Sequence, residues 1–371
     1  MTNKQLIKTL LHCLILCVTV LCSIGLIFVY SSSSVYALER HGSAAYFAKK
    51  HLIGLLLGAL ALAGLQLIPA ESIKRWAPVS FFTALFLTFL TLVPIFARKI
   101  HGSQRWISLG GFSFQPSELL KITLVLYVAY LLTTTKPYHR STSISYTRLM
   151  IILACVSAIL LKQPDFGLTV TLIATSCIML FISCLHSKQL LITSAALIPV
   201  AGSLVLLKPY RLQRILIFLN PWNDPQGAGF QIIQSLIAIG SGGLWGVGIS
   251  NSKQKFFYLP MQHTDFIFSI IAEETGFIGA ITLIALYALL LYAGLRLAWR
   301  LNDPFFSYAT VGFIILISLQ AIINLCVTTG LVPTKGIGLP FISYGNTALI
   351  SSILMIGLII NFTRTTLQQR R

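Results

Sequence analysis

The amino-acid sequence predicts an all-α polytopic membrane protein. Of its 371 residues, 56 % are hydrophobic and only 10 % are charged, and the mean hydropathy is +0.84. Apolar runs of about 20 residues, the length of a helix that crosses a bilayer, recur from one end of the chain to the other. No connection is large enough to form a soluble core of its own, so we expect residues 1–371 to form one membrane domain.

Ten transmembrane helices account for this pattern. The first ends in a serine run without a small-residue cleavage site, so we interpret it as an uncleaved helix. The fifth is short and is bracketed by Arg148 and Lys162. The ten spans are centred near residues 20, 60, 87, 126, 155, 175, 197, 280, 316 and 354.

The net charge of +18 indicates an anionic ligand. With ten spans, the 27 Lys and Arg residues divide almost evenly between the two faces of the membrane, so the usual cytoplasmic excess does not set the orientation. Cations kept in the outer loops would attract an anion. A smaller number of spans, which would restore the cytoplasmic excess, is the alternative.

The long connections fall on one face. Under the ten-span topology, residues 98–116, 208–264 and 330–346 share that face with the short turn at residues 163–167. The large extracytoplasmic loop at 208–264, between the seventh and eighth spans, contains a glycine-rich apolar run at 240–248 that is a candidate re-entrant segment. Polar chemistry is therefore predicted at one face.

Asp265 is the leading candidate for a catalytic residue. It directly precedes an apolar span, in a chain with only nine acidic residues. An acid beside a membrane core is costly, and desolvation there can raise its pKa towards that of a useful base. His263 and Thr264 add hydrogen-bonding groups. Glu273 and Glu274 lie about two turns deeper in the same predicted helix and are expected to pair with Lys or Arg from neighbouring helices, or to cap backbone groups, rather than to act on substrate.

Several cations and acids near the same face could bind a substrate. Glu118 and Lys121 are spaced to share a helix face, although a structural ion pair would look the same. Arg105 offers a guanidinium suited to phosphate, whereas its neighbour Trp106 could be an interfacial anchor. Asp165 lies in a turn after a proline, where a structural role is equally plausible.

Two lysines in the outer loops are further candidates for binding an anion. Lys255 belongs to a basic and aromatic strip, for which a juxtamembrane anchor is the alternative. Lys335 is the only charge in its loop and is surrounded by glycine and proline.

The sequence gives no protein ligand set for a metal. The seven cysteines lie in or next to apolar spans without CxxC spacing, so neither a disulfide framework nor a metal knuckle is predicted. His263 has no second histidine at ligand spacing, and metal ligation by it is the lesser alternative.

These motifs, in this order, resemble the SEDS family of bacterial cell-wall polymerases. The resemblance covers nearly the whole chain. The matching stretches are Gly102-Ser-Gln-Arg-Trp-Ile, Gln115-Pro-Ser-Glu-Leu-Leu-Lys121, Gln163-Pro-Asp-Phe-Gly167, Gln234-Ser-Leu-Ile-Ala-Ile-Gly-Ser-Gly-Gly243, His263-Thr-Asp-Phe-Ile-Phe268 with Glu273-Glu274, and Pro333-Thr-Lys-Gly through Ser343-Tyr-Gly345.

The resemblance implies an inverting glycosyltransferase of the bacterial cytoplasmic (inner) membrane that polymerises lipid II into glycan strands, with ten spans and both termini cytoplasmic. It places Asp265 at the position of the essential acid. A divalent cation (Mg or Mn) at the pyrophosphate is left open. The substrate-binding candidates are Arg105, Lys121, Lys255 and Lys335 for the pyrophosphate, Glu118 and Asp165 as orienting partners, and His263, Thr264, Ser343 and Tyr344 from the matching motifs.

The family has a division branch, FtsW, and an elongation branch, RodA, and the stretch at 248–260 looks more like FtsW. The chain departs from the family pattern in two places. Asn346 stands where a second glycine is usual, which puts a close backbone approach there in doubt. Met261 and Gln262 replace a pair that often carries an acid, so the surroundings of Asp265 are expected to be less negative.

Two other functions compete with the polymerase. In a lipid II flippase, intramembrane charges such as Glu118, Lys121 and Glu274 would line a translocation path. A scaffold with lapsed catalytic machinery would not be expected to keep Asp265, Lys121 and Arg105. The partners that the resemblance implies are lipid II, a class B penicillin-binding protein and other divisome or elongasome membrane proteins, with no nucleic acid.

Overall fold

A computed structural model describes residues 2–93, 97–100, 103–109, 112–134, 141–183, 209–227, 229–255 and 262–369. Within these ranges the chain is a bundle of α-helices. Their bounds are α1 Asn3–His41, α2 Tyr46–Leu65, α3 Ala70–Leu90, α4 Pro116–Thr134, α5 Ser141–Lys162, α6 Phe166–Ile182, α7 Pro209–Leu219, α8 Phe230–Ser241, α9 Ile267–Ala298, α10 Pro304–Thr328 and α11 Asn346–Gln369.

The predicted polytopic membrane fold is confirmed. In the described part of the chain, seven helices are long and apolar enough to cross a membrane, namely α1 to α4 and α9 to α11. The predicted fifth and sixth spans coincide with α5 and with α6, a shorter apolar helix of 17 residues. The predicted span near residue 197 lies outside the described residues.

The centre of the bundle consists of α4, α10 and α11. In each of these helices, 67–78 % of the most apolar stretch is buried by protein, against 22 % in α2 and α3, which therefore offer most of their apolar surface to lipid. Small residues allow α2 to approach α11 closely. A Cβ added at Gly54 would lie 2.9 Å from Asn346 Oδ1, and one at Gly58 would lie 2.7 Å from Ile353 Cδ1.

A small antiparallel sheet connects α3 to α4. Its strands are β1 (Ala97–Ile100), β2 (Ser103–Leu109) and β3 (Phe112–Phe114), in the order β1-β2-β3. The sequence analysis assigned no strand here. The sheet matters because β2 carries Arg105 towards the turn between α5 and α6.

Helix α9 is broken at Gly276, where φ is 68° and ψ is −167°. The glycine-rich segment at 242–248, which follows α8, binds the backbone groups that the break releases. Val247 N–H donates to Glu273 O over 3.0 Å, and Phe277 N–H donates to Gly243 O over 2.9 Å. The glycine-rich run at 240–248, a candidate re-entrant segment in the sequence, therefore consists of the end of α8 and a segment whose backbone forms the hydrogen bonds that α9 loses at its break.

Replacing Gly276 with alanine should destabilise the protein. The positive φ costs a non-glycine residue about 1–3 kcal/mol, and the new Cβ would lie 2.3 Å from Gly246 N. We expect a lower midpoint of thermal unfolding for Gly276→Ala in detergent. Gly240→Ala is the matched control because Gly240 lies in α8 with no atom within 4 Å of an added Cβ. Equal midpoints for the two variants would contradict the account of the break.

Candidate active site

Asp265 lies two residues before the start of α9 and is partly buried. Burial raises the pKa of its carboxyl from 3.8 to about 6, and the positive charges of Arg105 and Arg214 act in the opposite direction. A carboxylate with a pKa near 6 is ionised at neutral pH yet basic enough to take up a proton efficiently. The desolvation predicted from the sequence for Asp265 is thus present.

Arg105 on β2 binds the turn that contains Asp165. Its Nε donates to Gln163 O over 3.1 Å and its Nη2 donates to Pro164 O over 2.6 Å. Its Nη1 lies 3.4 Å from Asp165 Oδ2. The turn and the sheet are thereby fixed to each other, and the charge of Arg105 acts on Asp165 and on Asp265.

Asp165 has a structural role as well as an electrostatic one. It is the N-cap of α6, and its Oδ1 accepts a hydrogen bond from Leu168 N–H over 3.2 Å. Burial raises the pKa of Asp165, whereas the Arg105 charge and the Leu168 hydrogen bond lower it. Both readings of this residue made from the sequence, the turn residue and the partner of a cation, have support in its contacts.

The predicted pair of Glu118 and Lys121 forms at the start of α4. Lys121 Nζ lies 2.6 Å from Glu118 Oε2, and Ser351 Oγ of α11 donates to the same oxygen over 2.6 Å. Both charged side chains are buried, Lys121 almost completely. The pair joins two of the central helices, and the charges of both residues act on Asp165.

Lys335, in the loop at 330–345, lies near both Asp165 and Asp265. Its Nζ lies 4.5 Å from the centre of the Phe166 ring, which follows Asp165 directly. Burial lowers the pKa of Lys335, and the carboxylate of Asp165 raises it. The next residue, Gly336, lies so close to Asp265 that an added Cβ would be 3.3 Å from Oδ2.

Arg214 is a site residue that the sequence analysis missed. It lies on α7, in a segment interpreted as loop, and its Nη1 donates to Thr334 O over 2.8 Å. Its charge lowers the pKa of Asp265. The sequence pattern that could have found it is that of an amphipathic helix. Leu212, Leu216 and Leu219 recur at helical spacing, and Arg214 falls between them on another face.

The residues flanking Asp265 are held by the loop that contains Ser343 and Tyr344. The His263 ring packs against Phe47 and Tyr344, with ring centroids 4.7 Å and 5.8 Å apart. Burial lowers the pKa of His263 to about 4, so its imidazole is neutral at physiological pH. Thr264 O accepts a hydrogen bond from Ser343 Oγ over 2.5 Å.

Lys255 lies in a second polar cluster, at the break in α9. Its ammonium contacts Ser250 O and lies 4.0 Å from Glu274 Oε1, which also accepts a hydrogen bond from Ser31 Oγ over 2.6 Å. Glu273 accepts hydrogen bonds from Ser252 Oγ and from Lys253 N–H. The expected capping of a backbone group is thus seen for Glu273, whereas the lysine near Glu274 comes from the segment after α8 and not from a neighbouring helix. The aromatic part of the strip, at 256–258, lies outside the described residues.

The described residues contain no group of three or more His, Cys, Asp or Glu side chains that could hold a metal ion. A divalent cation prefers six or more oxygen ligands. An ion bound among the described residues would therefore take most of its ligands from a bound substrate or from water.

Fold and site together define a class: a multi-pass membrane protein with one partly buried carboxylate, flanked by cations, at one end of its bundle. The cell cycle protein family FtsW/RodA/SpoVE matches residues 11–368. The chain belongs to this family.

Named relatives and solved structures agree with this assignment. A probable peptidoglycan glycosyltransferase FtsW from Trichlorobacter lovleyi is 41 % identical over 81 % of this chain and 78 % of its own length. Stage V sporulation protein E of Bacillus subtilis is 38 % identical over 84 % and 85 %. A chain from a structure of a peptidoglycan synthase complex that coordinates polymerization and crosslinking superposes with a TM-score of 0.79, at 32 % identity over 95 % and 97 %. The rod shape determining protein RodA of Thermus thermophilus gives a TM-score of 0.71, at 27 % identity over 95 % and 96 %.

Substitutions of Asp165 should separate its capping role from its ion pair. Asparagine is as good an N-cap as aspartate, whereas alanine is not, so Asp165→Ala should lose about 0.5–2 kcal/mol more stability than Asp165→Asn. The measurement is the unfolding midpoint of each variant in detergent. If both variants lose the same stability, the ion pair with Arg105, and not the cap, is what Asp165 contributes.

Proposed function

We propose that this protein is a peptidoglycan glycosyltransferase that polymerises lipid II into glycan strands at the outer face of the cytoplasmic membrane. The observation that carries the proposal is Asp265, a carboxylate with a raised pKa and two guanidinium groups close enough to act on its charge, in a chain of the FtsW/RodA/SpoVE family. The relative named above as a probable peptidoglycan glycosyltransferase FtsW supports the activity and favours a role in division over one in elongation.

Asp265 would act as the general base. The 4-hydroxyl of one sugar attacks the anomeric carbon of another, a carbon–oxygen bond forms, and the bond from that carbon to the undecaprenyl pyrophosphate breaks. The hydroxyl proton passes to the Asp265 carboxylate. Direct displacement of this kind needs one base and inverts the anomeric centre, whereas retaining chemistry needs a second carboxyl group about 5 Å away as a nucleophile.

Arg105, Arg214 and Lys335 would hold the departing pyrophosphate. Both guanidinium groups act electrostatically on Asp265, and Lys335 precedes Gly336, where an added Cβ would lie 3.3 Å from Asp265 Oδ2. Guanidinium groups suit bidentate binding of phosphate oxygens, and fixed cations stabilise negative charge that develops on a leaving group. Asp165 would orient Arg105 through their ion pair.

The predicted pyrophosphate roles of Lys121 and Lys255 stay predictions. Each ammonium has a buried carboxylate close by, Glu118 in one case and Glu274 in the other. Removing an ammonium from such a pair leaves a buried charge without compensation, which is costly. Lys121 and Glu118 would more readily adjust the pKa of Asp165 through their charges than bind substrate.

The proposed reaction sets the partners and the orientation. The substrate is lipid-linked, and the donor pyrophosphate could bring a divalent cation that takes its remaining ligands from phosphate and water. A class B penicillin-binding protein would cross-link the strands, a proposal supported by the similarity to a chain of a peptidoglycan synthase complex. Both termini would lie in the cytoplasm, opposite to Asp265.

A flippase is the second candidate, and it predicts polar groups along the whole depth of the bundle. The charged groups that interact with Asp265 and Asp165 instead gather at the end of the bundle where α4, α6 and α9 begin. The second cluster, of Lys255 with Glu273 and Glu274, lies only about two helical turns along α9 from the same end. This one-sided arrangement favours the polymerase.

Asp265→Ala should abolish chain formation while leaving the fold intact. The assay is polymerisation of lipid II by the purified protein together with its transpeptidase partner, with glycan chain length as the readout. The matched control is Asp303→Asn, which keeps the N-cap of α10 at the other end of the bundle and loses only the charge paired with Lys74. We expect long chains from the wild type and the control and none from Asp265→Ala.

Equal chains from Asp265→Ala would remove this residue from the mechanism. If the wild type makes no chains but moves lipid II across vesicle membranes, the flippase replaces the polymerase.

A further inference from the structure

Three consecutive backbone carbonyls at the site are each held by a different residue. His263 O accepts a hydrogen bond from Tyr344 N–H over 3.0 Å, and Thr264 O accepts one from Ser343 Oγ. Asp265 O accepts one from Asn324 Nδ2 over 2.8 Å. The backbone that carries the proposed base is thus held by a hydrogen bond at each of these three residues.

Asn324 differs from the other two because it also binds a second segment. It lies near the end of α10, is almost fully buried, and donates from the same Nδ2 to Ile337 O over 2.7 Å. One amide group therefore joins the Asp265 backbone to the segment at 334–338. The sequence analysis did not single out this residue.

The segment at 334–338 carries or anchors two of the three proposed pyrophosphate ligands. Arg214 is held by Thr334 O, and Lys335 is part of the segment. The backbone at Gly336 passes near Asp265, since a Cβ added there would lie 3.3 Å from Oδ2. The separation between base and cations consequently depends on how this segment is attached, and Asn324 supplies a direct attachment.

We propose that Asn324 is a positioning residue that holds the Asp265 backbone and the segment at 334–338 in one fixed arrangement, so that base and cations act on the same bound substrate. The inference rests on the proposed role of Asp265. Asn324 need not touch the substrate. Its effect is geometric, and misplacing reacting groups by about 1 Å can cost about 100-fold in rate.

A purely structural asparagine would behave differently, and the chain contains one for comparison. Asn361 on α11 is also buried and also donates from Nδ2 to two carbonyls, Leu65 O and Ile68 O, each over 2.9 Å. These contacts tie α11 to the end of α2 that is remote from Asp265. Asn361→Leu therefore reproduces the loss of two hydrogen bonds without altering the site.

The experiment compares Asn324→Leu, Asn361→Leu and Asp265→Ala in the lipid II polymerisation assay, with kcat, KM, the pH profile and the unfolding midpoint measured for each. We expect Asn324→Leu to lower kcat about 10- to 100-fold with a smaller change in KM. The acid limb of the pH profile of this variant should move to higher pH. Arg214 is held by the segment that Asn324 attaches, and once displaced it no longer lowers the pKa of Asp265. Asn361→Leu should lower only the unfolding midpoint.

Asn324→Ser is the second variant, since it removes the bridging amide with less steric change if leucine prevents folding. The proposal is overturned if the folded Asn324 variants keep the wild-type kcat, or if they lose activity only in proportion to stability with an unmoved pH profile, as Asn361→Leu would. Activity retained by Asp265→Ala would instead overturn the proposed function, independently of Asn324.

Discussion

The whole site depends on one electrostatic balance, between the desolvation of Asp265 and the positive charges that oppose it. Burial disfavours the charged form of the carboxyl and raises its pKa. The charges of Arg105 and Arg214 oppose this rise, and the net pKa is about 6. Each arginine comes from a different part of the chain, so the balance requires that several connections be held in place at the same end of the bundle.

The fold supplies those connections by backbone contacts. The guanidinium of Arg105 binds the turn before α6, that of Arg214 binds the carbonyl of Thr334, and Asn324 joins the Asp265 backbone to the segment that follows Thr334. Arg105 divides its donor groups between two carbonyls and Asp165, and its charge also lowers the pKa of Asp265. Lys121 differs because its ammonium is paired directly with the carboxylate of Glu118.

Local sequence patterns were enough for part of this account. Hydropathy predicted the helical membrane fold, spacing predicted the pair of Glu118 and Lys121, and the position of Asp165 after a proline predicted a turn. Each of these follows from neighbours within a few residues. The same reasoning could not find Arg214 or Asn324, whose partners lie 120 and 59 residues away, or the link between Lys255 and Glu274. Such contacts are set by packing of distant segments, which spacing along the chain does not encode.

The most direct test of the account is the titration of the Asp265 carboxyl itself. The chain has four aspartates, Asp165, Asp224, Asp265 and Asp303, so ¹³C labelling of aspartate side chains with Asp265→Asn as the reference can assign its signal by NMR. The account predicts a midpoint of about 6 in the folded protein, and a higher one in Arg214→Gln, where one opposing charge is gone. A midpoint near the ordinary value of 3.8, unchanged in Arg214→Gln, would contradict it.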